Sequence, residues 1–242
     1  MWHILSFVLG AIIGSFLNVV IYRLPRDDLK LWDPPRSFCP NCGHPLSWKD
    51  NIPILSYIIL KGRCRYCGWR IPFRYFFVEV SNSTFYLLSS FFIGDTLLLL
   101  AVWSVFSTLL AISFIDLETM TISDSMNLIV LISSLVISWR LDRLIWGLIV
   151  GGSVFGIFLL VAWLSRGFGM GDVFLIGASS VAMEPLSINI AILVSALSGL
   201  VYAAVKNKGL RMKEKVPFGP FLSIGIIVGI LHTIWIRGMI TW

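Results

Sequence analysis

LIWGLIVGGSVFGIFLLVAWLS, residues 144 to 165, contains no Asp, Glu, Lys or Arg. A helix rises about 1.5 Å per residue, so this stretch is long enough to cross the roughly 30 Å hydrocarbon core of a bilayer. Three further stretches of similar length are equally free of charge: 97 to 115, 185 to 205 and 216 to 236. These four predicted membrane helices decide the fold class.

Four less uniform apolar stretches predict further spans, at about 3 to 22, 76 to 94, 124 to 139 and 173 to 184. Hydrophobic residues make up 57% of the chain and charged residues 13%, and the mean hydropathy of +0.87 excludes a soluble globular domain. The first stretch lacks a basic leader and a small-residue cleavage site, so we read it as a retained helix. The sequence predicts an all-α polytopic membrane protein with about eight transmembrane helices.

The basic residues fall unevenly between these spans. Ten lie in segment 23 to 75, five in segment 206 to 217 and one at Arg166, whereas three lie on the opposite side, at Arg140, Arg143 and Arg237. The positive-inside rule therefore places the basic side in the cytoplasm and both termini outside. Topology and anionic lipid account for the net charge of +6, so we expect no nucleic-acid partner.

All four cysteines lie in the long connection, in CPNCG (39 to 43) and CRYCG (64 to 68). Two C-x-x-C turns on the reducing side of a membrane are typical of one tetrahedral zinc site. The predicted ligands are Cys39, Cys42, Cys64 and Cys67, in a closed and therefore structural site. Two disulfides, free thiols or His44 as a competing ligand are the alternatives.

Acidic residues lie at the predicted cytoplasmic ends of the helices. Asp116, Glu118 and Asp124 belong to IDLETMTISD (115 to 124), and Asp172 belongs to FGMGDVFL (168 to 175). With eight spans, the two turns emerge on one face, so Asp116 and Asp172 could meet although they are far apart in sequence. Two close Asp side chains share one proton, and such a pair can activate water and hydrolyse an amide.

A second interpretation of these acids stays open at this point. Short turns between membrane helices often contain Gly and Asp because they bend in water and cap a helix. Asp172 would then be an N-cap, and Asp124 would cap the next helix in the same way. Under the first interpretation, the glycines at 167, 169 and 171 would let the backbone approach an extended substrate.

Six motifs, in order along the chain, resemble those of the bacterial prepilin peptidases, which are membrane aspartyl proteases of the GxGD type. The matching stretches are GSFLNVVIYRLP (14 to 25), CPNCGHPLSWKDNIPILSYIILKGRCRYCGWRI (39 to 71), RYFFVE (74 to 79), IDLETMTISD (115 to 124), GMGD (169 to 172) and PFGPFL (217 to 222). The resemblance covers nearly the whole chain.

The resemblance implies an enzyme of the bacterial inner membrane that cleaves prepilin or pseudopilin substrates. Such enzymes remove the basic leader after a Gly at the cytoplasmic face and then methylate the new N-terminal residue with S-adenosylmethionine. The family's catalytic aspartates fall on Asp116 and Asp172, and Asp124 becomes a supporting residue. The C-x-x-C pairs match the family's zinc-binding domain. The resemblance specifies no oligomeric state.

Methyl transfer rests on the resemblance alone, and the sequence assigns no residues to S-adenosylmethionine. A glycine-rich strand-to-helix fingerprint of a soluble nucleotide-binding fold is absent from the sequence. Three positions depart from the family pattern: Phe174 where Lys is usual, Ser123 where Pro is usual, and Phe76 where Pro is frequent. None of them removes a catalytic carboxylate.

We therefore divide the chain into a first transmembrane helix (1 to 22), a cytoplasmic zinc-binding loop domain (23 to 75) and a seven-helix catalytic membrane domain (76 to 242). Two other functions compete with the protease. A transporter or channel would distribute its charges through the membrane depth, whereas these cluster at one surface. A membrane-anchored zinc-ribbon binding module would leave the two acidic turns without a shared purpose.

Overall fold

The computed structural model describes residues 1–26, 28–165, 169–206 and 217–238. These residues form helices joined by turns, with isolated β-bridges but no named strand among them. The helices are α1 (Trp2–Arg23), α2 (Leu55–Ile59), α3 (Phe73–Phe92), α4 (Thr96–Thr119), α5 (Asp124–Arg140), α6 (Leu144–Ser165), α7 (Met170–Ser180), α8 (Pro185–Lys206) and α9 (Gly219–Ile236). A single 3-10 turn, Trp48–Asn51, precedes α2. The prediction of an all-α chain is confirmed.

Five of these helices are long and apolar enough to cross a membrane, namely α1, α4, α6, α8 and α9. The chain is therefore a multi-pass membrane protein. The other three predicted spans are also helical and correspond to α3, α5 and α7. Since α7 has only 11 residues, a total of eight spans stays a prediction.

The bounds of α7 differ from the predicted stretch 173 to 184. The helix begins at Met170, because Gly169 adopts the extended conformation of an N-cap, and it ends at Ser180. A turn follows, and α8 then begins at Pro185, whose fixed φ suits the first position of a helix. The whole GMGD motif thus lies at the start of α7.

The chain divides into two compact units, residues 1–91 and 92–242. In the first unit α1 packs closely on α3, since a Cβ on Gly10 would lie 2.7 Å from the Cα of Ser83 and one on Gly14 would lie 2.8 Å from the Cα of Glu79. In the second unit α4 packs against α5 and α9, α8 against α9, and α7 against α5 and α6. The division by role at residues 22 and 75 stays a prediction.

The three arginines predicted to lie outside all pair with carboxylates at one end of the second unit. Arg140 pairs with Asp95, while Arg143 and Arg237 both pair with Glu184. These ion pairs neutralise the basic residues at the end of the bundle opposite the acidic turns. That end also connects α7, α8 and α9, because the Glu184 N–H donates to the Thr233 hydroxyl at 3.0 Å.

Candidate active site and metal site

Asp116 lies in the last turn of α4 and is buried, with 5% of its surface exposed. Its Oδ2 accepts a hydrogen bond of 2.8 Å from the backbone N–H of Gly219, the first residue of α9. The first N–H groups of a helix have no partner within the helix, so this bond satisfies both the amide and the carboxylate. The start of α9 therefore holds the Asp116 side chain in place.

Gly219 allows this contact because it has no side chain. A Cβ at this position would lie 2.9 Å from both Cβ and Oδ2 of Asp116, closer than real Cβ atoms come. In the sequence, PFGPFL (217 to 222) stood out only as one of the six motifs that resemble the family. Its glycine marks the point where α9 meets the candidate catalytic acid.

Asp172 lies in the first turn of α7 and is half-buried. The interpretation of Asp172 as the N-cap is wrong, because Gly169 occupies that position. Asp172 lies near enough to Asp116 for a charge on Asp116 to act on it, so the two acids that the sequence singled out lie in the same region of the second unit.

The turn before Asp172 is positioned by neighbouring elements. A Cβ on Gly171 would lie 2.9 Å from the Cβ of Ile122, so the glycine lets α7 approach the segment between α4 and α5. Asn127 on α5 donates from Nδ2 to the carbonyl oxygen of Gly171 at 3.3 Å, while its buried Oδ1 has no hydrogen-bond partner in the described part of the chain. Asn127 thus links α5 to the start of α7.

The other acids of these turns are placed differently. Glu118 and Asp124 are exposed, and Asp124 is the first residue of α5, after Ser123 at the N-cap. The glycine at 167 lies outside the described residues. Within the second unit the candidate site thus consists of a buried and a half-buried acid from two helices, which suits an acid and a base acting on one water.

The four cysteines cluster in the first unit. Their Sγ atoms all lie within 4.8 Å of one another, and the Sγ atoms of Cys39 and Cys67 are 3.9 Å apart. A disulfide would hold two sulfurs about 2.05 Å apart, so these four are free thiols. In a tetrahedral site with Zn–S bonds of about 2.3 Å, neighbouring sulfurs lie about 3.8 Å apart. The cluster therefore fits a zinc ion.

Both C-x-x-C-G turns have the same backbone geometry. The N–H of Gly43 donates to the carbonyl of Cys39 at 2.9 Å, and that of Gly68 donates to the carbonyl of Cys64 at 3.0 Å. Each glycine has a φ near +70°, which a residue with a side chain rarely adopts. The near-repeat in sequence is thus a repeat in structure. His44 instead packs against Tyr66, with the ring centroids 3.7 Å apart and the rings tilted by 36°, and it is not part of the cysteine cluster.

The surroundings of Cys67 lower the pKa of its thiol. A hydrogen bond from the backbone N–H of Trp69 is the largest influence, and together with a contact from Asn41 it lowers the pKa of Cys67 from 9.0 to about 7. A metal binds the thiolate and not the thiol, so this environment favours metal binding at neutral pH.

Comparisons with known proteins cover most of the chain. The family model described as the bacterial peptidase A24 N-terminal domain matches residues 8–93, and that of the type IV leader peptidase family matches residues 103–204. No solved structure matches.

Curated relatives match over nearly their full length. The type 4 prepilin-like proteins leader peptide-processing enzyme of Escherichia coli O78:H11 is 35% identical over 94% of this chain and 93% of its own. Two enzymes named prepilin leader peptidase/N-methyltransferase are 32% and 30% identical. The first, from Burkholderia pseudomallei strain 1026b, covers 91% of this chain and 82% of its own, and the second, from Aeromonas salmonicida strain A449, covers 98% and 92%.

Proposed function

This chain belongs to the type IV leader peptidase family, and we propose that it is a membrane aspartyl endopeptidase that removes the basic leader of type IV prepilin-like proteins and methylates the new N-terminus. Cleavage takes place after a Gly at the cytoplasmic face of the inner membrane. The observation that carries the proposal is that Asp116 of α4 and Asp172 of α7 belong to one compact unit and are near enough for the charge of Asp116 to act on Asp172.

We assign the two acids complementary roles. Asp116 already accepts the Gly219 N–H, which stabilises a negative charge, so Asp116 is the ionised member and takes a proton from water. The water oxygen bonds to the carbonyl carbon of the substrate's Gly, on the acyl side of the bond that is cleaved. Asp172 is the protonated member, donates a hydrogen bond to the developing oxyanion and then protonates the amine as the peptide C–N bond breaks. Asp124, exposed at the start of α5, has a supporting role.

The second reaction uses S-adenosylmethionine, which supplies an activated methyl group on a sulfonium. The new N-terminal amine must reach it in its neutral form. When bound, the cofactor would supply its methyl group to this nitrogen. The protein's tasks are to hold the two reactants in line and to keep water away.

Cys39, Cys42, Cys64 and Cys67 hold a structural zinc ion in this proposal. Four thiolates fill a tetrahedral site and leave no position for substrate. The segment between α1 and α3 contains only short helices, so a metal would supply the stability that a small core does not. The sulfur spacing of the cluster supports this assignment.

The topology that fits best has eight spans, formed by α1 and α3 to α9. The basic segments 23 to 75 and 206 to 217 and the two acidic turns then face the cytoplasm, and both termini lie outside. Arg140, Arg143 and Arg237 each pair with an acid at the end of the second unit away from the acidic turns. This pairing supports that end as the outer one, because few unpaired positive charges would have to cross the membrane.

Cleavage of a prepilin by membranes containing the full chain tests the proposal. We expect a shortened product from the wild type, and none from Asp116→Asn or Asp172→Asn at equal protein levels. Asp142→Asn is the matched control, because Asp142 is exposed in a turn with φ of +53°, which Asn tolerates well. Cleavage that survives both active-site substitutions would overturn the assignment.

A further inference from the structure

Two stretches of the long connection between α1 and α3 expose large apolar side chains. In the first, residues 30–36, Trp32 is 74% exposed. In the second, residues 55–60, which contain α2, the side chains of Leu55, Ile58 and Ile59 are exposed by 55% to 70%. Residues three and four apart lie on one face of a helix, so α2 presents an apolar face to its surroundings. Exposed apolar surface of this kind is typical of a site that contacts a membrane or another molecule.

Arg23 fixes the first stretch to the end of α1. The residue is buried, and its guanidinium donates to the carbonyl oxygens of three residues of the stretch: Leu31 at 3.0 Å, Pro34 at 2.8 Å and Arg36 at 3.2 Å. One side chain of the helix thus binds three carbonyls of the connection. The stretch therefore has a defined position beside α1.

Trp32 lies against the exposed side of α1. Its ring stacks on that of Phe16, with centroids 5.9 Å apart and ring planes 22° apart. Phe16 precedes Arg23, the last residue of α1, by seven positions, so this contact lies about 10 Å inside the end of the helix. Phe16 and Ile12 are exposed on a helix that is apolar enough to cross a membrane, and both line a groove of about 400 Å³ together with Trp32 and Pro34. Trp32 thus continues the surface that α1 presents to lipid.

The second stretch begins at a similar level along the helices. The N–H of Ile54, just before α2, donates to Oε2 of Glu79 at 2.7 Å. Glu79 follows Phe73, the first residue of α3, by six positions, so this bond lies about 9 Å inside α3. A Cβ on Gly14 of α1 would be 2.8 Å from the Cα of Glu79, and Gly14 is two residues from Phe16. Two independent contacts therefore place both stretches at the level of residues 14 to 16 of α1.

Basic residues accompany both apolar stretches. Lys30 and Arg36 bound the first, Lys61 and Arg63 follow the second, and all four are exposed. Asp33 is the only acid that the sequence has within 30–36 and 55–63. Anionic lipid head groups attract such basic residues, whereas the basic leader of a substrate would be repelled. A lipid surface therefore suits these stretches better than a basic leader does.

We propose that residues 30–36 and 55–60 form an interfacial anchor in the bilayer leaflet at this end of α1. Trp32 and the exposed face of α2 contact the upper part of the acyl chains, and the flanking basic residues contact the phosphates of anionic lipids. Trp is enriched at this depth of a membrane, and short amphipathic segments bury their apolar face there. The segment predicted to be a cytoplasmic loop domain is then bound to the membrane surface on both sides of the first C-x-x-C turn. The proposal requires α1 to cross the membrane and does not depend on proteolysis or methyl transfer.

Lipid photolabelling of the wild type tests the anchor without any variant. The full chain is reconstituted in vesicles of phosphatidylethanolamine and phosphatidylglycerol, with a phosphatidylglycerol probe that carries a diazirine near the start of one acyl chain. Trypsin then releases three consecutive peptides, 31–36, 37–49 and 50–61. We expect the two outer peptides to carry at least about fivefold more label than the middle one. The middle peptide is the internal control, because its Trp48 is also 74% exposed, and exposure alone would label it equally.

A matched pair of variants tests the contact of Trp32. Trp32→Glu is expected to lower the label on peptide 31–36 at least about threefold, because a carboxylate is costly among acyl chains. Label on peptide 50–61 should change less, since α2 has its own contact with α3. Trp48→Glu, at an equally exposed position, should leave the label on both outer peptides unchanged.

The same assay tests the basic residues and the competing occupant. Replacing phosphatidylglycerol by phosphatidylcholine, probe included, is expected to lower the label on both outer peptides at least about twofold. Equal label from the two lipids would overturn the role given to the basic residues. Label on peptide 37–49 as strong as on its neighbours, or none on the outer peptides, would overturn the anchor. Loss of lipid label when prepilin is added would overturn it as well and assign this surface to the substrate. Since no readout is enzymatic, failure of the anchor would leave the proposed function standing.

Discussion

The backbone N–H of Gly219 and Oδ2 of Asp116 are joined by a hydrogen bond of 2.8 Å. The contact links the first residue of α9 to the last turn of α4, and a glycine is the residue that permits it. A side chain of any size at this position would fill the space that the carboxylate occupies. The position of the Asp116 carboxylate therefore depends on Gly219, a residue that has no reactive side chain.

Gly219→Ala is expected to lower the initial rate of leader cleavage at least about tenfold, because the added Cβ must displace the Asp116 side chain, and misplacing a reacting group is costly. A gel assay of prepilin processing measures this rate. Gly156→Ala is the control, since a Cβ there meets no heavy atom within 4 Å. Equal rates for Gly219→Ala and the wild type would show that the contact is not needed.

Asn127→Ala is expected to reduce kcat for cleavage about fivefold, since it removes the bond to Gly171 that positions the turn before Asp172. KM should change less, because the residue acts on the turn and not on the substrate in this interpretation. Ser133→Ala is the control: it also removes a bond of α5, to the Ser104 hydroxyl at 2.9 Å. If both variants lose activity equally, the loss reflects general loosening of α5.

Much of the fold follows from local sequence. The uncharged runs at 97 to 115 and 144 to 165 predicted α4 and α6 within a few residues, because burial in lipid requires a continuous apolar helix. The bounds of α7 were harder to predict. Its start depends on the conformation of Gly169, and an apolar run does not reveal the conformation of a glycine.

The site was only partly predictable, for a similar reason. Spacing was enough to group the four cysteines, since each pair is a local turn and the repeat is visible in sequence. The partner of Asp116 was not predictable, because Gly219 reaches it only through the packing of α4 on α9.

Cys67 is expected to react with iodoacetamide in zinc-depleted protein with a half-maximal rate near pH 7, because its pKa is about 7 and the thiolate is the reacting form. Below this pH the thiol is protonated and the rate falls. Mass spectrometry of peptides from protein treated at a series of pH values measures the profile. Glutathione in the same samples should show a midpoint near the ordinary thiol pKa of about 8.5.

Zinc-loaded protein provides the second arm of this experiment. Coordination consumes the thiolates, so alkylation of all four cysteines should be slow across the pH series. Rapid alkylation in the presence of excess zinc would contradict the four-cysteine site, whatever the profile of the metal-free chain.

Glu184→Gln is expected to lower the free energy of unfolding by about 3 kcal/mol, because it leaves the Arg143 guanidinium buried without its countercharge. The Arg143 side chain is 2% exposed, and its three guanidinium nitrogens have no hydrogen-bond partner among the described residues. Asp95→Asn is the matched control, since its partner Arg140 is far more exposed and such pairs contribute at most about 1 kcal/mol. Thermal unfolding in one detergent compares the two variants. Equal losses would mean that the burial of Arg143 adds nothing to the strength of its ion pair.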